Sequence, residues 1–137
     1  MNIVRWQERL DNFEKAYLTL TQALERIKMT PEDELLRAGF IQTYEFTLEL
    51  AWKTLGNYLE DQGFSEINSP KKVIRTAFSE GYIKDGEMWL QALEDRNLTV
   101  HTYKKELAQK VASDIKNRYF AIIRDLYLTL KKESSNE

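Results

Sequence analysis

"RWQERLDNFEKAYLTLTQALERI", Arg5 to Ile27, carries Trp6, Leu10, Phe13, Tyr17, Leu20, Leu24 and Ile27 at alternating spacings of four and three. That alternation follows the 3.6-residue period and predicts one apolar stripe along a helix of about seven turns. The next segment, "MTPEDE" (Met29 to Glu34), ends it. Pro31 belongs only in a first turn, and Glu32, Asp33 and Glu34 favour a helix N-terminus, with Thr30 as its N-cap. A second helix then runs from near Pro31 to Asp61 and stops at Gly63. Its apolar residues, among them Phe40, Ile41, Tyr44, Phe46, Trp52 and Leu55, cover more than one face. A helix apolar nearly all round is either buried centrally or turned towards another subunit, so a dimer interface and a central core helix are both open readings.

Downstream, "INSPKKVIRTAFSEG" (Ile67 to Gly81) is a short helix with its punctuation in place. Ser69 can cap it, Pro70 suits its first position and Gly81 closes it. Asp85 can cap a further helix containing Met88, Trp89, Ala92 and Leu93. The last helix places Leu107, Val111, Ile115, Tyr119, Ile122, Leu126 and Leu130 in register. Trp6, Trp52 and Trp89 read as core anchors on different helices. With no hairpin signal and no strand-like alternation, the expected fold is all-α. It is an antiparallel up-and-down bundle of about five helices, three long and two short, in one domain spanning residues 1–137.

Composition narrows the function classes. The chain has 42% hydrophobic and 31% charged residues, 5 glycines, 2 prolines and no cysteine, which fits a folded, helix-rich protein and excludes disulfides and thiolate metal sites. The absence of an apolar signal core near the N-terminus and of any long apolar run points to the cytoplasm and to no membrane span. A net charge of −2 argues against a protein that coats nucleic acid by bulk electrostatics. The charge is uneven, however, with eight acids and two bases in residues 31–66 and eight bases and five acids in residues 101–137. Solvated faces explain that bias, and so does a basic surface that receives phosphates. Neither GxGxxG, GxxxxGK nor HExxH occurs, and one histidine cannot make a His–His metal site. Glu45 and Glu49 lie one helical turn apart, with Lys53 four residues after Glu49 as the expected partner.

The lone histidine lies in "EDRNLTVHTY", Glu94 to Tyr103. On an unbroken helix Arg96 and His101 would stand about 140° apart around the axis. β-branched Thr99 and Val100, with cap-forming Asn97 and Thr102, instead predict that the fourth helix ends near Arg96 and the last begins near Thr102. A bend there can bring guanidinium and imidazole together at a helix N-terminus. His101 could then move a proton, Arg96 could clamp a phosphate, and backbone N–H groups could add donors for the same anion. This constellation suits metal-free phosphoryl transfer on RNA, with water, Tyr103 or a second subunit's imidazole completing the acid–base pair. A histidine that merely caps or packs is the competing reading. Lys71, Lys72, Arg75, Lys104 and Lys105 are candidate phosphate or substrate contacts, and solvent-facing charge explains them equally.

"RNLTVHTY" resembles the R-polar-x3-H signature of HEPN domains and the fuller R-x4-H-x-Y form. The segments Arg5–Leu20, Tyr44–Gly63 and Ser69–Tyr103 are similar to the nucleotidyltransferase substrate-binding protein family along almost the whole chain. The resemblance implies a helical homodimer associated with a small, separately encoded minimal nucleotidyltransferase. Carried over by position, it makes Arg96 and His101 candidate ribonuclease residues, Asn97 their polar companion and Tyr103 a candidate site of AMP addition by the transferase. The transferase's own Gly-Ser and paired aspartates are absent, so this chain is not the transferase by itself. It carries no intrinsic cofactor, and nucleotide triphosphate and magnesium are expected only with the partner. The leading expectation is a substrate- or nucleotide-binding regulatory subunit in a toxin–antitoxin-like pair. The alternative is a metal-independent endoribonuclease toxin, with RNA as substrate.

Overall fold

The computed structural model describes residues 5–96 and 104–136, and every regular element among them is helical. In chain order these are α1 (Arg5–Met29), α2 (Glu34–Asp61), α3 (Pro70–Ser79), α4 (Gly86–Asp95), α5 (Lys105–Asp114) and α6 (Phe120–Ser135). A π turn, Ile115–Tyr119, joins α5 to α6 in one continuous rod. The expected three long and two short helices are therefore present, the third long one carrying a wide turn at its middle.

The α1 stripe is buried as its spacing requires: Trp6, Leu10, Phe13, Leu20, Leu24 and Ile27 are each at most 5% exposed. α2 returns antiparallel to α1, and the Thr47 hydroxyl meets the Ala16 carbonyl at 3.3 Å, the two positions lying equally far from the intervening turn. Twelve residues of α2 are buried, on more than one side of it, because α1, α3, α5 and α6 all pack against it. Its all-round apolar pattern is thus used largely within one chain, although Phe46 stays 62% exposed. No described helix is long and apolar enough to cross a membrane.

The start of α2 differs from expectation. Thr30 does not cap it; its hydroxyl donates back to the Arg26 carbonyl of α1 at 3.1 Å. Asp33 is the cap, accepting from the Leu36 amide at 3.0 Å, and Pro31 sits in the turn before the helix. Arg37, 5% exposed, donates to the Pro31 carbonyl at 2.8 Å and ties that turn to the helix. The other ends follow the sequence: Ser69 and Asp85 accept from the Lys72 and Met88 amides at 3.3 Å each. Gly63 and Gly81 adopt φ of 100° and 83°. Each lies inside a paired 6→1 and 5→2 C-terminal bond pattern that needs the left-handed region.

The wide turn in the last helix has its origin in the residue spacing. Leu107, Val111, Ile115 and Tyr119 are separated by three steps of four, twelve residues in all. Three α-helical turns use about 10.8 residues, so keeping all four side chains on one face requires about one surplus residue to be absorbed. The Phe120 amide does this by bonding back five residues to the Ile115 carbonyl.

α6 is clamped to α1 by aromatic and ionic contacts. Tyr127 stacks on Tyr17 at 4.8 Å and meets Phe13 edge-on at 6.1 Å. Its hydroxyl donates to Glu14, which also pairs with Lys131 at 3.2 Å. The Tyr127 bond, then that of Lys131, holds the Glu14 carboxyl below its ordinary range. Burial first, then the Glu14 bond, pushes Tyr127 up to about 12. The bond needs ionised Glu14 and protonated Tyr127. Its contribution is therefore present above the unfolded carboxylate value and is lost as pH falls through Glu14's lowered one. On the alkaline side it is present below 10 and lost as pH rises from there through about 12. Urea titrations across pH should show both losses in wild type, and Tyr127→Phe should make both limbs shallower, the buried Tyr44, Tyr58 and Tyr119 keeping part of the alkaline one.

Candidate functional site at the C-terminal end of α4

α4 ends where the motif begins. Arg96 is its C-cap residue, half-buried, in the right-handed helical region, with its amide donating to the Ala92 carbonyl at 3.1 Å. Asn97, His101 and Tyr103 lie outside the described residues, as do Leu98 to Val100 and Thr102, on which the expected bend and cap depend. On the far side of that segment α5 opens at Lys105, with Lys104 in the N-cap position and its own side chain making no cap bond.

The residue before Arg96 is fixed from two sides. Asp95 accepts from the Gln91 amide nitrogen at 3.0 Å on one oxygen and from the Tyr119 hydroxyl on the other. Tyr119 comes from the π turn, is 2% exposed, and stacks on Tyr44 of α2 with ring centres 6.0 Å apart. Arg118 lies over its ring, 5.3 Å from the centre. Burial, followed by the bond to Asp95, raises Tyr119's pKa well above its ordinary value. Tyr44, 1% exposed, is raised in the same direction, by burial first and then by the neighbouring Tyr119 and Asp95. Its hydroxyl has no hydrogen-bond partner among the described residues. Tyr44, Asp95, Asp114 and Tyr119 line a cavity of about 20 Å³, enough for a single water.

Cations gather on the same rod. Lys110 bonds Asp114 at 2.8 Å, Arg118 lies 3.8 Å from it, and Lys105 reaches Glu34 at 3.9 Å. Lys104 and Lys105 are exposed at the start of α5, whose Leu107 and Val111 line the cavity beside Tyr44. Lys71, Lys72 and Arg75 are also exposed but lie on α3, where a Cβ placed on Gly56 would come within 3.2 Å of Val73. Val111 and Val73 thus meet α2 twelve residues apart, about 18 Å along its axis, and Lys105, which reaches Glu34 at the start of α2, lies farther still from the α3 group. Glu49 is not held by Lys53: it accepts from the Trp52 indole at 3.0 Å, and Lys53 sits 5.9 Å from that ring's centre. An indole three residues on reaches the carboxylate directly and leaves the flexible lysine to the ring face.

A wider groove of about 610 Å³ opens beside the N-terminal end of α4, over Trp89, Ile122 and Leu126. Its rim carries Glu80, Asp85, Asp125 and Glu133 against Lys84 alone, a field that repels phosphate.

The Tyr119–Asp95 pair was missed from sequence because Tyr119 falls in the apolar stripe, 24 residues from its partner. Its signals were the triple spacing of four and an acid at the negative end of a helix.

Comparison with known proteins agrees with this architecture. Residues 8–132 match the family described as nucleotidyltransferase substrate binding protein like. A Haemophilus influenzae protein described as a probable ribonuclease HepT is 30% identical over 118 residues, covering 77% of this chain and 81% of the relative. A Haemophilus influenzae structure, reported to reveal the fold of a substrate binding domain of a nucleotidyltransferase, superposes with a TM-score of 0.80 at 28% identity, over 89% of this chain and 98% of that one. A Thermus thermophilus crystal structure gives 0.72 at 34% identity, over 83% and 94%. Helical architecture and sequence agree along nearly the whole length: this chain belongs to the nucleotidyltransferase substrate-binding protein family.

Proposed function

We propose that this chain is the substrate- or nucleotide-binding and regulatory subunit of a two-component minimal nucleotidyltransferase. It acts as a cytoplasmic homodimer beside a separately encoded transferase, in a toxin–antitoxin-like pair. The observation that carries this reading is the family match over residues 8–132. In this reading nucleotide triphosphate and magnesium come with the partner transferase. Affinity purification from the native cell should retain a nucleotidyltransferase. A preparation that brings down none overturns the reading.

The second reading is favoured by the Haemophilus relative described as a probable ribonuclease and by the Arg96–His101 spacing. His101 takes the proton from an RNA 2′-hydroxyl, O2′ bonds to phosphorus as the P–O5′ bond breaks, and Arg96 balances the charge on the phosphoryl oxygens. Water, Tyr103 or the partner subunit's His101 returns a proton to O5′. Lys104 and Lys105 stand next to the motif and fit the flanking phosphates; Lys71, Lys72 and Arg75, on α3, fit a longer strand. Asn97 is the polar companion of Arg96. The test is cleavage of mixed RNA in excess EDTA by wild type, His101→Ala and Arg96→Ala. Cutting by wild type alone supports it, and no cutting by folded wild type removes it. Tyr103→Phe should fold as wild type does, yet gain no AMP mass when incubated with the transferase and ATP; wild-type cleavage by it would leave the O5′ proton to water or the second imidazole. Mass addition to that variant would place the acceptor elsewhere.

A further inference from the structure

Asp95 occupies a position that helix electrostatics disfavours. The last turn of α4 contains Glu94 and Asp95 and no base, at the end where the peptide dipoles leave partial negative charge. The last turn of a helix is also where fraying begins. Asp95 is nonetheless held on both oxygens, by Gln91 of its own helix and by Tyr119. Tyr119 can reach it only because the π turn keeps residue 119 on the inner face, where α4 packs directly against that turn. The next residue is Arg96, whose amide makes the final bond of the helix.

We propose that Asp95 and Tyr119 are positioning residues for Arg96: the Tyr119–Asp95 hydrogen bond pins the last turn of α4 to the π turn, so that the guanidinium starts from a fixed backbone when it meets a phosphate. The kinetic part rests on the ribonuclease reading; the pinning itself does not. Tyr119→Phe is a clean probe, since it keeps the ring, its stacking on Tyr44 and its contact with Arg118, and removes only the hydroxyl. Asp95→Ala removes the acceptor, and Asp95→Asn keeps one.

The experiment measures two quantities on the full chain: kcat and KM for RNA cleavage in EDTA, and backbone hydrogen exchange at the Arg96 amide. Tyr119→Phe and Asp95→Ala should each lower kcat about tenfold at unchanged KM and speed exchange at Arg96 about tenfold, the size expected for one charge-assisted bond. Amides in the middle of α1 and α2 should keep their wild-type protection. Asp95→Asn should recover most of both losses, and the double variant should be no worse than Asp95→Ala, because both changes break one interaction. Unchanged exchange at Arg96 in Tyr119→Phe overturns the proposal. So does a kcat loss accompanied by faster exchange throughout the chain, which would mark a general loss of stability. If wild type does not cleave RNA, the ribonuclease reading falls. In that event faster Arg96 exchange in Tyr119→Phe still supports the pin, and unchanged exchange still overturns it.

Discussion

Trp89→Ala is expected to lower the unfolding free energy by about 3 kcal/mol, towards the low end of the range for deleting a large buried aromatic. Trp89 is 1% exposed and sits on α4, a helix of only ten residues whose other buried members are Gly86, Ala92 and Leu93. Apart from these and the Asp95–Tyr119 bond at its far end, little else anchors it. The low end applies because Trp89 also floors the groove over Ile122 and Leu126, so water can enter the space and soften the cavity cost. Domains of this size hold about 5–15 kcal/mol in total, so the loss is a substantial share. A urea titration should show the midpoint falling by about 1–2 M with little change in slope. Trp52→Ala is the control: Trp52 is half-buried and its indole is engaged at the surface by Glu49, so its loss should be about half as large. A Trp89→Ala protein as stable as Trp52→Ala would mean that α4 is not held to the bundle as described.

On the ribonuclease reading, removing His101 should reduce RNA cleavage by about 10²- to 10⁴-fold, the contribution typical of a positioned acid or base. Because His101 is the only imidazole in the chain, no neighbouring histidine within the protomer can substitute for it. Arg96→Lys should be nearly as damaging as Arg96→Ala, in the range of about 10²- to 10³-fold, although it keeps the charge. A lysine offers a point charge on a flexible stem, whereas the guanidinium presents two parallel N–H donors to phosphoryl oxygens. Rates measured in EDTA at equal folded concentration, with far-ultraviolet dichroism as the folding control, test both. If Arg96→Lys cleaves at the wild-type rate, bidentate phosphate contact is excluded and Arg96 serves as general charge only.

The bundle was legible because its information is local and periodic. The spacing from Trp6 to Ile27 specified α1, Ser69 and Asp85 marked helix starts with side chains whose bonding reach is three residues, and Pro70 and Gly81 marked a start and an end by the backbone angles they take. Such signals failed where two candidates competed within that reach. Thr30 and Asp33 are both good caps, and the threonine was already satisfied by the carbonyl of α1. Glu49 had a lysine at the favoured spacing, but a planar indole donor one residue nearer took the bond. The candidate site was legible only in part. Its motif residues stand out by rarity, the sole histidine near an arginine and a tyrosine. The Tyr44–Asp95–Tyr119 cluster joins three helical segments far apart in sequence, and nothing periodic in any one of them announces the others.

The wide turn in the last helix also sets the phase between its two halves. Upstream of Ile115 the rod is keyed to α2; downstream of Tyr119 it is keyed to α1 through Tyr127 and Lys131. Each residue advances a helix by about 100°. A chain one residue longer within Ile115–Tyr119 would therefore keep one of those docking partners and rotate away from the other, whereas a chain one residue shorter would close the wide turn into ordinary α-helix and leave both halves in phase. Length in that turn is consequently constrained in one direction: the surplus residue can be lost, but a second one forces a choice between the two halves of the molecule.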